Sequence, residues 1–321
     1  MPRAFSDVME RPWFPWLLLF AVVAVAAAVA DLRETTLGVA LAPALGVPGE
    51  TGWFARLAIA AVLGVVVAGN FAILRVLPFR AQVTIVWAEL LALVLAFFYS
   101  FDLSFPFIFS RLGFLIYQGA FTTIYISMAA ILIACVIALA AALGRLSHHG
   151  PAYGLATFYI SFFRGTPLLL QVYLIYLGLP QLGFVIDAVP SGIAALALCY
   201  GAYLAEIFRA GIQGVPPGQW EAATALGLKQ SVTFWKVVFP QAMRLIVPPT
   251  GNQFIAMLKD SSLVSVMGVW ELMFLAKTQG RAEFKHLEML ITAAIIYWII
   301  SIVFELIQGR LETYYGKGHQ R

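Results

Sequence analysis

Pro216-Pro-Gly-Gln-Trp-Glu-Ala-Ala-Thr-Ala-Leu-Gly227, continued by Phe234-Trp-Lys-Val-Val-Phe-Pro240, lies between two apolar runs at 190–208 and 241–258. It is too polar to span a bilayer and too regular for a slack loop. Pro216 and Pro217 pre-set the entry to a helix, Glu221-Ala-Ala-Thr-Ala-Leu226 contains strong helix formers, and Gly227 can end the helix in a left-handed turn. The spacing predicts a short helix near 216–227. On it, Trp220, Ala223 and Leu226 or Leu228 are placed to meet a partner, Glu221 is in solvent or paired with a base, and the small Ala222 and Ala223 allow close approach. Two readings fit: a rigid knob entering the groove of a cytoplasmic protein, or a helix lying on its own subunit at the membrane surface.

The chain around this segment belongs in a membrane. Of 321 residues, 62% are hydrophobic and 11% charged, with a mean hydropathy of +0.89, whereas soluble domains carry roughly 25% charged residues. About 20 apolar helical residues cross a hydrocarbon core of roughly 30 Å with their backbone polar groups satisfied internally. Eight segments fit, at 13–30, 56–74, 83–101, 115–143, 152–177, 190–208, 241–258 and 288–308. The expected fold class is an all-α integral membrane protein with about eight transmembrane helices. The fourth segment is long enough to overshoot or tilt, and the seventh is weakened by Pro248-Pro249 and Asn252. The first follows Arg3 and Arg11 and ends Ala28-Val29-Ala30, so it also fits a cleaved signal peptide; both readings leave 31–55 outside. With a cytoplasmic N-terminus, the inner segments carry twelve Lys and Arg and the outer ones seven, in the direction of the positive-inside bias. Both termini are then cytoplasmic.

Several functions are excluded by composition. The net charge of +4 is dispersed between apolar runs and forms no stripe that could follow a phosphate backbone, which argues against nucleic acid as a partner. Cys135 and Cys199 lie in apolar stretches, and His148, His149, His286 and His319 lack metal-site spacing, so neither a metal centre nor a catalytic constellation is expected. No Gly-x-x-x-x-Gly-Lys-Ser/Thr loop occurs, so any ATP hydrolysis belongs to another chain.

Residues 1–110 hold three spans and little polar chemistry, whereas 111–321 hold five spans separated by patterned polar segments. Glu89, inside Val86-Trp-Ala-Glu-Leu-Leu-Ala-Leu-Val94, is the exception in the first part; it requires protonation, a partner or an interfacial position, with a transport role as the alternative.

The stretch from Glu221 to Pro240 resembles the cytoplasmic loop of membrane-spanning subunits of ATP-binding cassette (ABC) importers: E-A-A, three residues, G, nine residues, I-x-L-P. Glu221-Ala222-Ala223 precedes Thr-Ala-Leu and Gly227, residues 228–236 supply the nine, Val237 and Phe239 replace Ile and Leu, and Pro240 matches. The chain is further similar to the polar amino acid branch, the histidine, glutamine and arginine type. The matching stretches are Phe163-Arg-Gly-Thr-Pro-Leu-Leu-Leu-Gln171, Tyr176-Leu-Gly-Leu-Pro180, Gly201-Ala-Tyr-Leu-Ala-Glu-Ile-Phe-Arg-Ala-Gly211 and Lys259-Asp-Ser-Ser-Leu-Val-Ser265.

The resemblance implies a type I importer transmembrane domain in 111–321, with 1–110 as an N-terminal helical extension. It implies that 216–227 is a coupling helix, with Trp220, Glu221, Ala222, Ala223 and Gly227 at the contact with an ATPase. The implied partners are a cytoplasmic ABC ATPase dimer, a second identical or homologous permease, an extracytoplasmic solute-binding protein and a polar amino acid, at a bacterial inner membrane. ATP and Mg are expected in the ATPase, and no cofactor on this chain.

Further residues acquire candidate roles in that frame. Arg164, a permanent charge within an apolar span, is read as structural pairing or gate support, as a contact for a substrate carboxylate, or as snorkelling to the interface, with Thr166-Pro167 loosening the backbone beside it. Gln171 is a softer pathway candidate. Glu206 and Arg209 either form an intrahelical ion pair or, with Pro240, support the coupling segment. Asn252 and Gln253, beside Pro248-Pro249, mark an interrupted helix facing the route. Lys259, Asp260, Ser261 and Ser262 line an outer vestibule, touch a binding protein or cap a helix. The rival reading, an ion-coupled secondary transporter with Glu89 and Arg164 in a charge relay, explains the spans but not the segment from Glu221 to Pro240.

Overall fold

The computed structural model describes residues 14–30, 53–99 and 103–316. Among them the regular structure is entirely helical and divides into two compact units between Asp102 and Leu103. The signal-peptide reading of the first segment turns on residues that include 1–13 and 31–52, which lie outside those described, as do both chain ends.

The first unit contains α1 (Phe14–Ala30), α2 (Trp53–Leu74) and α3 (Phe79–Tyr99). Gly64 lets α2 approach α1, since a Cβ there would stand 2.6 Å from Cδ2 of Phe20. Glu89 is half-buried in α3 and accepts a hydrogen bond from Asn70 Nδ2 of α2 at 2.9 Å, so its partner is a neutral amide.

The second unit begins with α4 (Phe105–Leu146), so the composition change at 110/111 falls inside a helix. A π turn at Leu115–Ala120 interrupts the regular ladder of α4. Next come α5 (Gly150–Gly165), α6 (Leu168–Gln181), α7 (Ala188–Gln213) and α8 (Pro217–Ala225). Residues 230–260 form α9, with a π turn at Phe234–Val238; a 3-10 segment, Ser261–Met267, leads to α10 (Leu272–Ala282) and α11 (His286–Gly316). The core sits where α4 packs on α7, along Ala130, Ala134, Ala138, Ala142, Ala195 and Leu196. Small residues suit helices in lipid, where close van der Waals packing takes over from the hydrophobic effect. Gly201 shows how close: a Cβ there would lie 2.6 Å from the hydroxyl of Tyr159, which donates to Leu198 O at 2.6 Å.

Seven of the eight expected segments are helical over all their described residues, and 152–177 is broken at Thr166-Pro167; the count of eight is not carried by length and apolarity. Among the described residues four helices qualify: Leu57–Leu74, Phe105–Leu146, Ala188–Gln213 and His286–Tyr314. A fifth arises only if α5 and α6 are one broken span, because they meet at 107° around Thr166-Pro167. The expected span 152–177 is therefore two arms. The expected span 241–258 lies in α9, which Arg244, two prolines, Thr250, Asn252 and Gln253 make polar. The expected interruption at Pro248-Pro249 is also corrected, because α9 runs through both prolines. Thr250 Oγ1 donates to Ile246 O at 2.8 Å, and Gln308 Nε2 of α11 donates to Pro248 O at 2.6 Å. These bonds brace α9 beside the prolines; the carbonyls left without an intrahelical N–H are those of Arg244 and Leu245, four residues before each proline.

Candidate coupling surface and translocation cavity

α8 forms where the sequence places it, between Pro216 and Gly227. Gly227 adopts φ +70°, and the end is closed by Leu228 N–H donating to Ala223 O at 3.1 Å and Gly227 N–H donating to Thr224 O at 2.9 Å. This pair of bonds closes a helix on a left-handed residue, usually glycine. The helix does not present the face expected of it. Trp220 is half-buried against the core and Ala223 is 3% exposed, so both fix α8 to its own chain. Glu221, Ala222 and Leu226 face outward, and Leu226 is 78% exposed. Gln241 Nε2 donates to Gln219 Oε1 at 3.0 Å and joins α8 to the start of α9. Beside it Phe234, Trp235 and Phe239 cluster with ring centroids 5.0–5.6 Å apart. Pro240 sits exposed within α9, immediately after the π turn at Phe234–Val238.

Glu206 and Arg209 form the intrahelical pair, with Arg209 Nη2 2.7 Å from Glu206 Oε2. Arg209 also donates to Gln213 Oε1 at 2.6 Å, and Glu206 faces Arg145 of α4 at 3.9 Å. Arg145 in turn donates to Thr157 of α5 at 3.1 Å. The group thus ties α7 to α4 and α5, and the expectation that Glu206 and Arg209 hold the coupling segment is corrected: neither bonds to 216–227.

The bend between α5 and α6 opens a cavity of about 390 Å³ lined by Arg164, Thr166, Tyr200, Tyr203, Gln253 and Asp260, among others. The Arg164 guanidinium lies over the Tyr203 ring at 5.4 Å, and no carboxylate among the described residues is in ion-pair range of it. Asp260 accepts a hydrogen bond from Tyr200 Oη at 2.7 Å. The cavity therefore carries one cation, one anion, hydroxyls and an amide.

Gln171 is only 2% exposed and is a clamp, not part of the cavity wall. Its Nε2 donates to Phe163 O at 2.9 Å, Thr166 O at 3.1 Å and Thr166 Oγ1 at 2.9 Å, gathering the carbonyls freed at Pro167. Of the two amides in α9, Gln253 lines the cavity, while Asn252 is exposed and does not. The cluster 259–262 separates as well. Asp260 joins the Arg164 cavity, Ser261 is buried and donates to Leu258 O at 2.7 Å, and Lys259 and Ser262 line a second cavity of about 610 Å³ with Tyr297 and Glu305. Tyr200, Tyr203 and Glu271 were not singled out from sequence. Both tyrosines stand one helical turn apart in an otherwise apolar run, and Glu271 precedes a helix as a capping residue; these were the available signals.

The family described as binding-protein-dependent transport system inner membrane component matches residues 134–315, more than half of the chain. The chain belongs to this family. It is 38% identical over 204 residues to the L-cystine transport system permease protein TcyB of Bacillus subtilis (strain 168), covering 62% of this chain and 87% of that protein. To the arginine transport system permease protein ArtQ of the same organism it is 37% identical over 198 residues, covering 61% and 90%. Among solved structures, an amino acid ABC transporter with histidines matches with TM-score 0.62 and 37% identity over 66% of this chain and 99% of that one. The inward-facing MetNI methionine ABC transporter shares the fold at TM-score 0.56 and 18% identity, over 66% of this chain and 99% of that one. The protein is thus an integral membrane permease subunit of an ABC importer, with the type I transmembrane fold that the stretch from Glu221 to Pro240 implied.

Proposed function

We propose that this permease conducts polar amino acids across a bacterial inner membrane, with both termini cytoplasmic and with residues 103–321 as the transporting part. The carrying observation is the Arg164 cavity. An unneutralised guanidinium and a hydroxyl-supported carboxylate in one cavity complement the carboxylate and ammonium of a zwitterion, and the remaining hydroxyls and amide suit a polar side chain. The cystine, arginine and histidine named for its relatives support the same class of cargo.

Energy enters through α8. In this reading its outward residues Glu221, Ala222 and Leu226 dock in a groove of a separate ATPase dimer that binds ATP and Mg, while Trp220, Ala223 and Gln219 fix it to the permease. α8 lies in the chain between α7, which carries Tyr200 and Tyr203, and α9, which carries Gln253 and Asp260. A push on α8 therefore acts on two cavity walls together. Coupling further requires the ATPase to prefer one permease conformation, since docking with equal affinity for both shifts nothing. A second permease copy or homologue completes the pathway, and an extracytoplasmic binding protein delivers the amino acid.

The test is reconstitution of the permease with its ATPase and binding protein, measuring uptake of an amino acid panel with and without ATP. ATP-dependent uptake of polar amino acids, lost in Arg164→Ala and Asp260→Ala, is expected. Uptake driven by an ion gradient and indifferent to ATP would select a secondary transporter.

A further inference from the structure

Glu271 is a fully buried carboxylate in the segment between α9 and α11. Its Oε1 accepts from Phe274 N–H at 2.7 Å, and its Oε2 accepts from Met273 N–H at 2.8 Å and from Tyr297 Oη of α11 at 2.7 Å. One side chain thus caps α10 and binds it to α11. The next residue, Leu272, donates its N–H to Thr123 Oγ1 of α4 at 3.3 Å. Leu272 also rests on Gly119 in the π turn, where a Cβ would stand 3.0 Å from the Leu272 Cα. Three helices therefore meet on two consecutive residues.

The same strand of chain leads back to the cavity. Asp260, on its wall, opens the 3-10 segment Ser261–Met267, and Gly268 ends that segment at φ +80°. Val264 and Met267 pack on α7 at Gly192, where a Cβ would lie 3.0 Å from Val264 Cγ1. The segment is held at one end by Tyr200 on Asp260 and at the other by Glu271.

We propose that Glu271, with Tyr297 and Thr123, is a positioning latch of the transport cycle, which sets the place of Ser261–Gly268 and hence of Asp260, and whose grip depends on the protonation of Glu271. The proposal rests on the Arg164 cavity being the cargo route. Burial pushes the Glu271 carboxyl up to about 7, opposed by the Tyr297 hydroxyl, the two backbone N–H groups and Lys277. The groups facing it are Tyr297 from α11 and Lys277 on α10, and α4 presents only the neutral Thr123. When protonated, Glu271 donates to Tyr297 Oη, which turns from donor to acceptor. Because the folded value lies above the ordinary 4.5, the stabilising contribution is complete below that value and is lost as pH rises through about 7. The latch is tight on the acid side and loosens on the alkaline side.

The test uses the full complex of permease, ATPase and binding protein in proteoliposomes, with native protein, Glu271→Gln and Tyr297→Phe. Initial uptake of the amino acid best accumulated by the native complex gives KM and the maximal rate at about pH 6 and about pH 8. Hydrogen exchange of the peptide 268–276, corrected for intrinsic rates, is followed at the same two values. Expected is a rise in native KM and exchange of up to about tenfold between the lower and the higher pH, the linkage of a carboxyl raised from 4.5 to about 7. Glu271→Gln, which fixes the neutral form, shows neither rise, and Tyr297→Phe raises KM at both values. A Glu271→Gln complex that follows the native pH profiles overturns the latch, as does a Tyr297→Phe complex with native KM and native exchange. If the native complex takes up no amino acid, the cargo reading fails by itself and the exchange data decide the latch: pH dependence lost in Glu271→Gln supports it, and pH dependence retained there overturns it.

Discussion

Gly227 and Leu226 are neighbours with opposite kinds of importance. Gly227 stands at φ +70°, where a β-branched side chain is strained by about 1–2 kcal/mol, so Gly227→Val should distort the end of α8 and weaken assembly with the ATPase. Asn, which tolerates the left-handed region, should be spared, and co-purification of the two subunits distinguishes these outcomes. Leu226 makes no comparable demand on the backbone and is 78% exposed. Leu226→Asp should change thermal stability by no more than about 0.5 kcal/mol, as surface substitutions do, while reducing co-purification sharply. Loss of assembly without loss of stability would mark the docking face itself. The glycine was legible in the sequence because its role is a property of one backbone position. The outward face was not: Trp220 and Ala223 look like contact residues until the helix is seen packed on α9 with both turned inward, and a nine-residue helix without a clear apolar stripe does not announce its inner side.

Three prolines show why local reading locates some breaks and misplaces others. Thr166, β-branched and before Pro167, is extended at φ −106° and ψ 143°, as the residue before a proline prefers, and the chain turns through 107° there. Gln171 makes the turn sustainable by collecting Phe163 O, Thr166 O and Thr166 Oγ1. Gln171→Leu removes their shared donor, leaving Thr166 O without one and Phe163 O with only the Cys199 thiol, and should cost about 1–3 kcal/mol, read as a lowered unfolding midpoint of the purified complex. Pro248 and Pro249 carry the same covalent constraint and yet break nothing. Beside them α9 is braced from a remote part of the sequence: Gln308 of α11 donates to Pro248 O, and its amide fills the space that Gly251 leaves. Gly251→Ala should therefore overpack this contact and destabilise by about 1–3 kcal/mol. Adding Gln308→Ser should recover part of that loss, and a double-mutant cycle measures the coupling. No pattern within 241–258 could have revealed Gln308.

The division between Asp102 and Leu103 sets the largest question about this protein. The apolar runs identify an integral membrane protein, and the stretch from Glu221 to Pro240 identifies its family, because both depend on composition and spacing. The number of crossings is less accessible, since α9 and the α5–α6 bend owe their state to contacts with α7 and α11. The family match occupies 134–315, and Arg164, Asp260, α8 and Glu271 all lie in the second unit. In the first unit, Glu89 already has Asn70 as a partner at 2.9 Å. If it serves only that hairpin, nothing in transport depends on it. A chain lacking residues 1–102 should then still co-purify with the ATPase and retain ATP-driven uptake, and Glu89→Gln in the full chain should leave uptake unchanged. Retained assembly with lost uptake in the truncated chain would instead assign the first unit a part in the cycle. Loss in Glu89→Gln alone would narrow that part to the carboxylate, because Gln keeps the shape and the hydrogen bond to Asn70 while removing the charge.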